Sequence, residues 1–433
     1  DITILENSFI GELICTSEQF SSTLAFSGKK IIILLPLQIN FDRVKKMHHF
    51  HYQDRELYCE EVPIRKIAEK VGTPTYIYSS ATLTRHYYAF TEPFQELKPL
   101  ICFSVKALSN LAILRLFANL GSGFDIVSGG ELFRVEKAGG DTTKVVFTGP
   151  AKSEEELVYA LSKDILLFNV ESEQELKLLN QIAQKQGKKA RVALRVNPDI
   201  NPETHPHIST GLKENKFGLE TEKAMELYQD WKKYEGLEII GIDCHIGSQL
   251  VRLRPIVEAL THLIELVVKL KNFGIQIKYL DLGGGLGIVY RDEEPPMPKE
   301  YAKAIIDVAK EVDCKLILEP GRVLVGNAGI LLLKVRYLKQ SSIKRFVIVD
   351  GGMNALIRPS LYGAYHEVLP VIEKPISKNN IADLVGPICG SADFLAKDRP
   401  LPELTQGELL AVMSAGAYGF VMASNYNSQP RPA

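Results

Sequence analysis

KVVFTGPAKSEEELVYALSKDILLFNVESEQELKLLNQIAQKQG, residues 144 to 187, alternates two periodicities. The runs KVVFT and ILLFNV are short and continuously apolar, rich in β-branched and aromatic residues, as a strand covered on both faces requires. The stretches that follow repeat apolar residues three and four apart. Each opens on a serine, Ser153 or Ser172, with a carboxylate three positions on at Glu156 or Glu175. That spacing predicts capped helix starts. Strands joined through helices pair in parallel, so the stretch reads as two consecutive βα units.

Working outward, the same beat recurs at ICFSV (101), FDIV (124), ARVALRV (190), LEIIGIDCH (237), IQIKYLDL (275) and KLILE (315). Eight βα units across about 240 residues predict a closed (β/α)8 TIM barrel rather than an open doubly wound sheet. After Arg322 the beat stops. ILLLKVRYL, RFVIVDGG, NNIADLVGP and ELLAVMSAG read as strands, with a Pro-rich stretch through 396 to 402, which predicts a second, mostly β domain. The segment at 56 to 79 precedes the barrel and can add a strand to that domain, the barrel then being an insertion. The expected boundaries are 47–79 for the N-terminal part of the β domain, 80–324 for the barrel and 325–433 for the C-terminal β domain. Residues 1–46 read as an extension, or as sequence upstream of a start at Met47, with no domain of their own.

Lys and Arg number 51 against 52 acidic residues, so no net field favours nucleic acid or an anionic membrane surface. The six cysteines form no Cys-x-x-Cys pair, which argues against a structural metal or a secreted disulfide framework and for a reducing cytoplasmic setting. His48, His49 and His51 read as a solvated edge rather than a metal site. The longest apolar run, IIILLPL at 31 to 37, is too short to span a bilayer.

In a barrel the C-terminal strand ends face one mouth. Reading along them gives Lys106, Asp125, Gly149, Glu171, Arg195 with Asn197, His245, Gly283 to Gly285, and Glu319 with Arg322. Each alone is more often structural than functional, a lone histidine included. Together they make a set. DLGGGLG fails the dinucleotide spacing because position 288 is Ile, so a dinucleotide fold is not supported. Gly283, Gly284 and Gly285 follow the seventh strand, where barrels bind phosphate, with a mere tight turn as the lesser reading. Ser248 can add a hydrogen bond. A phosphate cradle, an amine, a carboxylate and an imidazole in one mouth point to pyridoxal phosphate. Lys106 would join the cofactor aldehyde, Glu319 would hold the pyridine nitrogen protonated, and His245 would stack on the ring.

FSVKA, GFDIVSGGE, NPDINPETHPHISTGLKENKFG, HIGSQ, DLGGGLGI, EPGR, MNALIRPSLYGAYH, VGPICGSADFLAKDR and AGAYGFVMASNYN carry a further reading. From about Met47 to its end the chain resembles the diaminopimelate decarboxylases, pyridoxal-phosphate enzymes with the alanine racemase type of barrel plus β domain. The resemblance implies decarboxylation of meso-2,6-diaminopimelate to L-lysine, the last step of lysine biosynthesis. It implies that Lys106 is the cofactor lysine, and that Asp125, His245, Ser248, Gly283, Gly284, Gly285, Glu319, Gly321 and Arg322 surround the cofactor, with Tyr418 touching cofactor and substrate. Arg322, Arg358 and Tyr362 would grip the substrate's distal carboxylate. Cys389 would be the proton donor, reaching into the partner's site across a homodimer. Taken by itself, Cys389 reads as a small buried hydrophobe.

Two positions depart from the family pattern. Relatives carry Glu directly after the cysteine, where it meets the substrate's distal ammonium; here that residue is Gly390, with Asp393 or water as substitutes. Relatives also commonly have Arg in place of Gln429 and continue past the position of Ala433. Weakened or broadened substrate use follows. The alternatives are a related decarboxylase for ornithine, arginine or carboxynorspermidine, and a non-catalytic cofactor-binding regulator, which retention of Lys106 and Cys389 disfavours.

Overall fold

The structure, a computed structural model, describes residues 47–201 and 216–433, with the backbone strands Ile2–Ile4, Leu13–Cys15, Thr23–Phe26 and Lys29–Ile32. The rest of residues 1 to 46, with the expectation attached to them, lies outside the described residues. So does 202–215, within the long motif that begins at Asn197.

Eight parallel strands form the expected barrel: β1 (Leu100–Ser104), β2 (Gly123–Ile126), β3 (Val145–Phe147), β4 (Leu167–Val170), β5 (Ala190–Asn197), β6 (Leu237–Asp243), β7 (Tyr279–Asp281) and β8 (Lys315–Leu318). Their order is β4-β3-β2-β1-β8-β7-β6-β5, and pairing of β4 with β5 closes the ring. The opening sequence folds as its spacing predicts, with one refinement. Ser153 and Glu156 form a complete capping box. Ser172 accepts the Glu175 N–H at 3.2 Å, but the Glu175 carboxylate turns away, to the Glu171 N–H and to Lys152.

Inside the barrel, Cys102, Val146, Leu167, Ala193 and Ile317 form an apolar layer. Strand side chains alternate faces, so the residues two positions on also point inward. Those residues are Ser104, Thr148, Asn169, Arg195 and Glu319, and all are buried. The chain therefore stacks a polar layer directly on an apolar one.

The chain divides into two compact units, Thr84–Gly326, which holds the barrel, and Asp1–Leu83 together with Asn327–Ala433. In the second unit Thr75–Ser79 pairs antiparallel with Gly329–Gln340. The sheet continues through Arg345–Val349 and Ile376–Val385 to Phe394–Pro402. The last of these strands runs through the Pro-rich stretch, which the sequence had not marked as a strand. It ends the described sheet path, with Pro400 opposite Ile381 and Pro402 opposite Ile376, and proline is tolerated on an edge because the missing N–H faces no neighbour. Ile77, Ile330, Leu332, Ala411 and Met413 pack in this unit's core. The Ala433 carbonyl accepts the Tyr76 N–H at 2.8 Å.

Candidate active site

At or just past its C-terminal end each barrel strand contributes a buried polar side chain: Ser104, Asp125, Thr148, Asn169, Arg195, Asp243, Asp281 and Glu319, none more than 4% exposed. Lys106 follows β1 in a single 3-10 turn, which brings its Nζ to 2.8 Å from Asp125 Oδ2. Ser104 Oγ lies 3.0 Å from the same carboxylate oxygen and 2.9 Å from the Glu319 carbonyl. Across the floor, Asn169 Nδ2 donates to Thr148 Oγ1 at 3.2 Å and to Asp281 Oδ2 at 3.1 Å. Thr148 Oγ1 is 3.5 Å from Glu319 Oε1.

Burial and like charge raise the affinity of these acids for protons. Burial, then the neighbouring Asp125 and Asp281, push Glu319 well above the carboxylate range, against the opposing effect of Lys106. Burial raises Asp243 strongly, with Asp281 adding to it, and lifts Asp281 to about 6. Arg195 answers part of this charge. Its Nη1 donates to Glu171 Oε1 at 2.8 Å and its Nε lies 3.8 Å from Asp243. Glu171 also accepts the N–H groups of Gly149 and Gly218, which ties two strand ends to that pair.

His245 follows β6. Its Nδ1 accepts the Gly284 N–H at 3.3 Å, and burial, with Lys106 and Arg195 nearby, holds its pKa well below the usual value. The neutral ring therefore carries its proton on Nε2. Gly283 and Gly285 have φ of +66° and +114°, which disfavour any side chain. A Cβ on Gly284 would stand 2.0 Å from the Glu319 carbonyl oxygen, so the turn lies flat against the end of β8. Gly321 packs on β1 less tightly, its would-be Cβ 3.1 Å from that of Ser104. Arg322 is buried and donates to Ser248 Oγ at 3.0 Å and to the Tyr290 hydroxyl at 2.7 Å.

The other named residues lie in the second unit. Arg358, buried, begins the short helix Arg358–Tyr362. Tyr418 has φ of +54°, a left-handed backbone uncommon outside glycine and frequent where function fixes a residue. Cys389 is exposed, which overturns its reading as a buried hydrophobe, and its N–H donates to Asn427 Oδ1 at 2.7 Å. Nothing lies within 4 Å of a Cβ placed on Gly390. Asp393 does not stand in for the missing Glu: its oxygens accept the N–H groups of Met353 and Ile388, each at 2.6 Å, and it is 5% exposed.

Strand-end reading singled out Lys106, Asp125, Arg195, His245, the glycines and Glu319, which the barrel brings to one end. It passed over Thr148, Asn169, Asp243 and Asp281. The missed signal is period two: each of Thr148 and Asn169 stands two residues after a member of the apolar layer. Lys152 was missed as well. Its fully buried amine donates to the Gly149 and Asn169 carbonyls and to Glu175, pinning the ends of β3 and β4.

Residues 80–326 match the family model described as pyridoxal-dependent decarboxylase, pyridoxal binding domain. The chain is 51% identical over 389 residues to the diaminopimelate decarboxylase of Vibrio cholerae, covering 89% of this chain and 93% of that one. It is 52% identical over 387 residues to the diaminopimelate decarboxylase of Pseudomonas aeruginosa, with the same coverage. The crystal structure of diaminopimelate decarboxylase from M. jannaschii in co-complex with L-lysine superposes with a TM-score of 0.84 at 40% identity, covering 88% of this chain and 91% of that one.

Proposed function

The chain belongs to the pyridoxal-dependent diaminopimelate decarboxylases, and from that premise we infer that it converts meso-2,6-diaminopimelate to L-lysine and carbon dioxide, with pyridoxal phosphate as cofactor. The observation that carries this reading is the placement of an amine, Lys106, just past the end of β1, and a buried carboxyl, Glu319, just past the end of the neighbouring β8.

The residues fit the cofactor. The buried acids Asp125, Asp243, Asp281, Glu171 and Glu319 stand with the cations Lys106 and Arg195, and a protonated ring nitrogen beside Glu319 would favour the ionised form that burial and its acidic neighbours oppose. The glycine turn offers backbone N–H groups with no side chain in the way. When bound, pyridoxal phosphate supplies a conjugated ring that takes up the electron pair of the breaking carbon–carbon bond.

The chain's own residues do the rest. Lys106 holds the cofactor through its Nζ, and Glu319 keeps the proton on the ring nitrogen. Gly283 to Gly285, Gly321 and Ser248 hold the phosphate, and neutral His245 covers the ring face. Arg322, Arg358 and Tyr362 orient the distal carboxylate, a task suited to guanidinium forks. Tyr418 contacts cofactor and substrate. Cys389 returns a proton to the α-carbon. Its exposure on its own protomer supports delivery into a second copy's site, so the working unit is a homodimer, acting in the cytoplasm. Among the described residues no helix is long and apolar enough to cross a membrane.

Gly390 removes a carboxylate that the family presents to the substrate's distal ammonium, which favours slower turnover or wider substrate acceptance. The test is carbon dioxide release from meso-diaminopimelate, ornithine and arginine by the protein loaded with pyridoxal phosphate. Fastest release from meso-diaminopimelate is expected, and faster release from ornithine or arginine overturns the reading. Mixing Lys106→Ala and Cys389→Ala protomers should recover about a quarter of the native activity if sites are shared across a two-fold dimer. No recovery rejects the sharing.

A further inference from the structure

Asn169 is fully buried on β4, and both hydrogens of its side-chain amide are used, one on Thr148 Oγ1 at 3.2 Å and one on Asp281 Oδ2 at 3.1 Å. Because the Thr148 hydroxyl already accepts from Asn169, its own proton is left for Glu319 Oε1, 3.5 Å away. Asp281 Oδ1 in turn accepts the Gly283 N–H at 3.0 Å, at the first glycine of the turn. The links form one string, Glu319 to Thr148 to Asn169 to Asp281 to Gly283, which a direct side-chain hydrogen bond between Asp281 and Glu319 closes into a ring. It joins β8, β3, β4 and β7, and none of its side chains is more than 4% exposed. The Asn169 amide carries two donors where an ionised aspartate or a leucine of similar size carries none.

We propose that Thr148 and Asn169 are positioning residues that hold the Glu319 carboxyl and the Gly283 turn as one piece, so that the two ends of the cofactor are gripped in fixed relation. This rests on the reading that Glu319 meets the ring nitrogen and the glycine turn meets the phosphate. The charged and titratable groups facing Glu319 are Asp125, Asp281, Asp243, Lys106 and Cys102, from β2, β7, β6 and β1. All but one of them are acidic. A carboxyl in such company tends to keep its proton, and the Thr148 hydroxyl is the neutral donor that favours the ionised form a protonated ring nitrogen needs.

The test compares Thr148→Val, Thr148→Ser, Asn169→Leu and Glu319→Gln. Three quantities are measured: the affinity of the cofactor-free protein for pyridoxal phosphate, the pH dependence of the bound cofactor's absorbance, and kcat and KM for meso-diaminopimelate. Thr148→Val is expected to lower kcat about tenfold with KM within about twofold, and to move the absorbance midpoint. Thr148→Ser should restore both. Asn169→Leu should do the same as Thr148→Val and also weaken cofactor affinity about tenfold, because it releases Gly283. The nearly isosteric Thr148→Val carries the test if Asn169→Leu does not fold. Native kcat, spectrum and affinity in Thr148→Val, beside a large loss in Glu319→Gln, overturn the string and leave the role of Glu319 standing. A loss in Thr148→Val that Thr148→Ser does not recover also overturns it. Native kcat in Glu319→Gln removes the underlying reading instead.

Discussion

Lys106 Nζ lies 2.8 Å from Asp125 Oδ2, and the two partners differ in access: the carboxylate is fully buried, while the lysine side chain is 30% exposed. The amine can therefore meet an incoming aldehyde while its counter-charge stays fixed in the barrel wall. An amine attacks a carbonyl only when unprotonated, and a carboxylate at ion-pair distance favours the protonated form. Asp125→Asn should lower the pH at which Lys106 captures pyridoxal phosphate half-maximally. The rise in visible absorbance after mixing, followed across pH, measures it. An unchanged or higher midpoint would separate Asp125 from the reactivity of the lysine.

Gly390→Glu tests the departure from the family pattern. A Cβ at this position meets nothing within 4 Å, so the side chain enters without repacking and the melting temperature should not change. A restored charge-assisted hydrogen bond to the substrate's distal ammonium is worth about 1.5 to 3 kcal/mol, or roughly ten- to a hundredfold in kcat/KM for meso-diaminopimelate. Equal kcat/KM in the two proteins would mean that the ammonium is already satisfied elsewhere.

Glu171→Ala should be among the most destabilising single changes in the barrel. The Glu171 and Arg195 side chains are 1% and 5% exposed, and the glutamate also receives the Gly149 and Gly218 N–H groups. Removing one member of a buried pair leaves the other charge uncompensated, at a cost of about 3 to 5 kcal/mol. Urea denaturation gives the value directly. A loss below 1 kcal/mol would show that Asp243 alone suffices for Arg195.

Asp281 predicts a pH signature in the cofactor-free protein. Burial lifts its carboxyl to about 6 in the folded state, against roughly 4 in an unfolded chain. Between those values the folded protein holds a proton that the unfolded chain has released, so the contribution of this group to stability falls as pH rises. Below pH 4 both states are protonated and no difference remains. Asp281→Asn cannot ionise, so its stability relative to the native sequence should improve by up to about 3 kcal/mol from pH 4 to pH 7. A constant difference across that range would place the titration elsewhere.

The barrel was legible because its strands and helices differ in period, and because Ser153 and Ser172 mark helix starts without reference to anything distant. The mouth was legible only at residues with an obvious chemical handle, such as Lys106 and Glu319. Asn169 and Asp281 look unremarkable in sequence: their meaning comes from a contact between β4 and β7, strands 112 positions apart at that point. Asp393 illustrates the converse. Its place near Cys389 suggested a free carboxylate, and only the fold shows both oxygens occupied by the backbone. The edge strand at Phe394–Pro402 escaped because proline marks loops in general, and only sheet position reveals the exception.

The pairing of Thr75–Ser79 with Gly329–Gln340 sets a schedule for synthesis. The first strand leaves the ribosome roughly 250 residues before its neighbour exists, a delay of about 12 to 50 s at ordinary elongation rates. Over that interval the barrel strands emerge in turn, the last, Lys315–Leu318, only 11 residues ahead of Gly329, while Thr75–Ser79 waits with that edge unpaired. Nascent chains stalled short of position 329 should thus present the Thr75–Ser79 edge to chaperones.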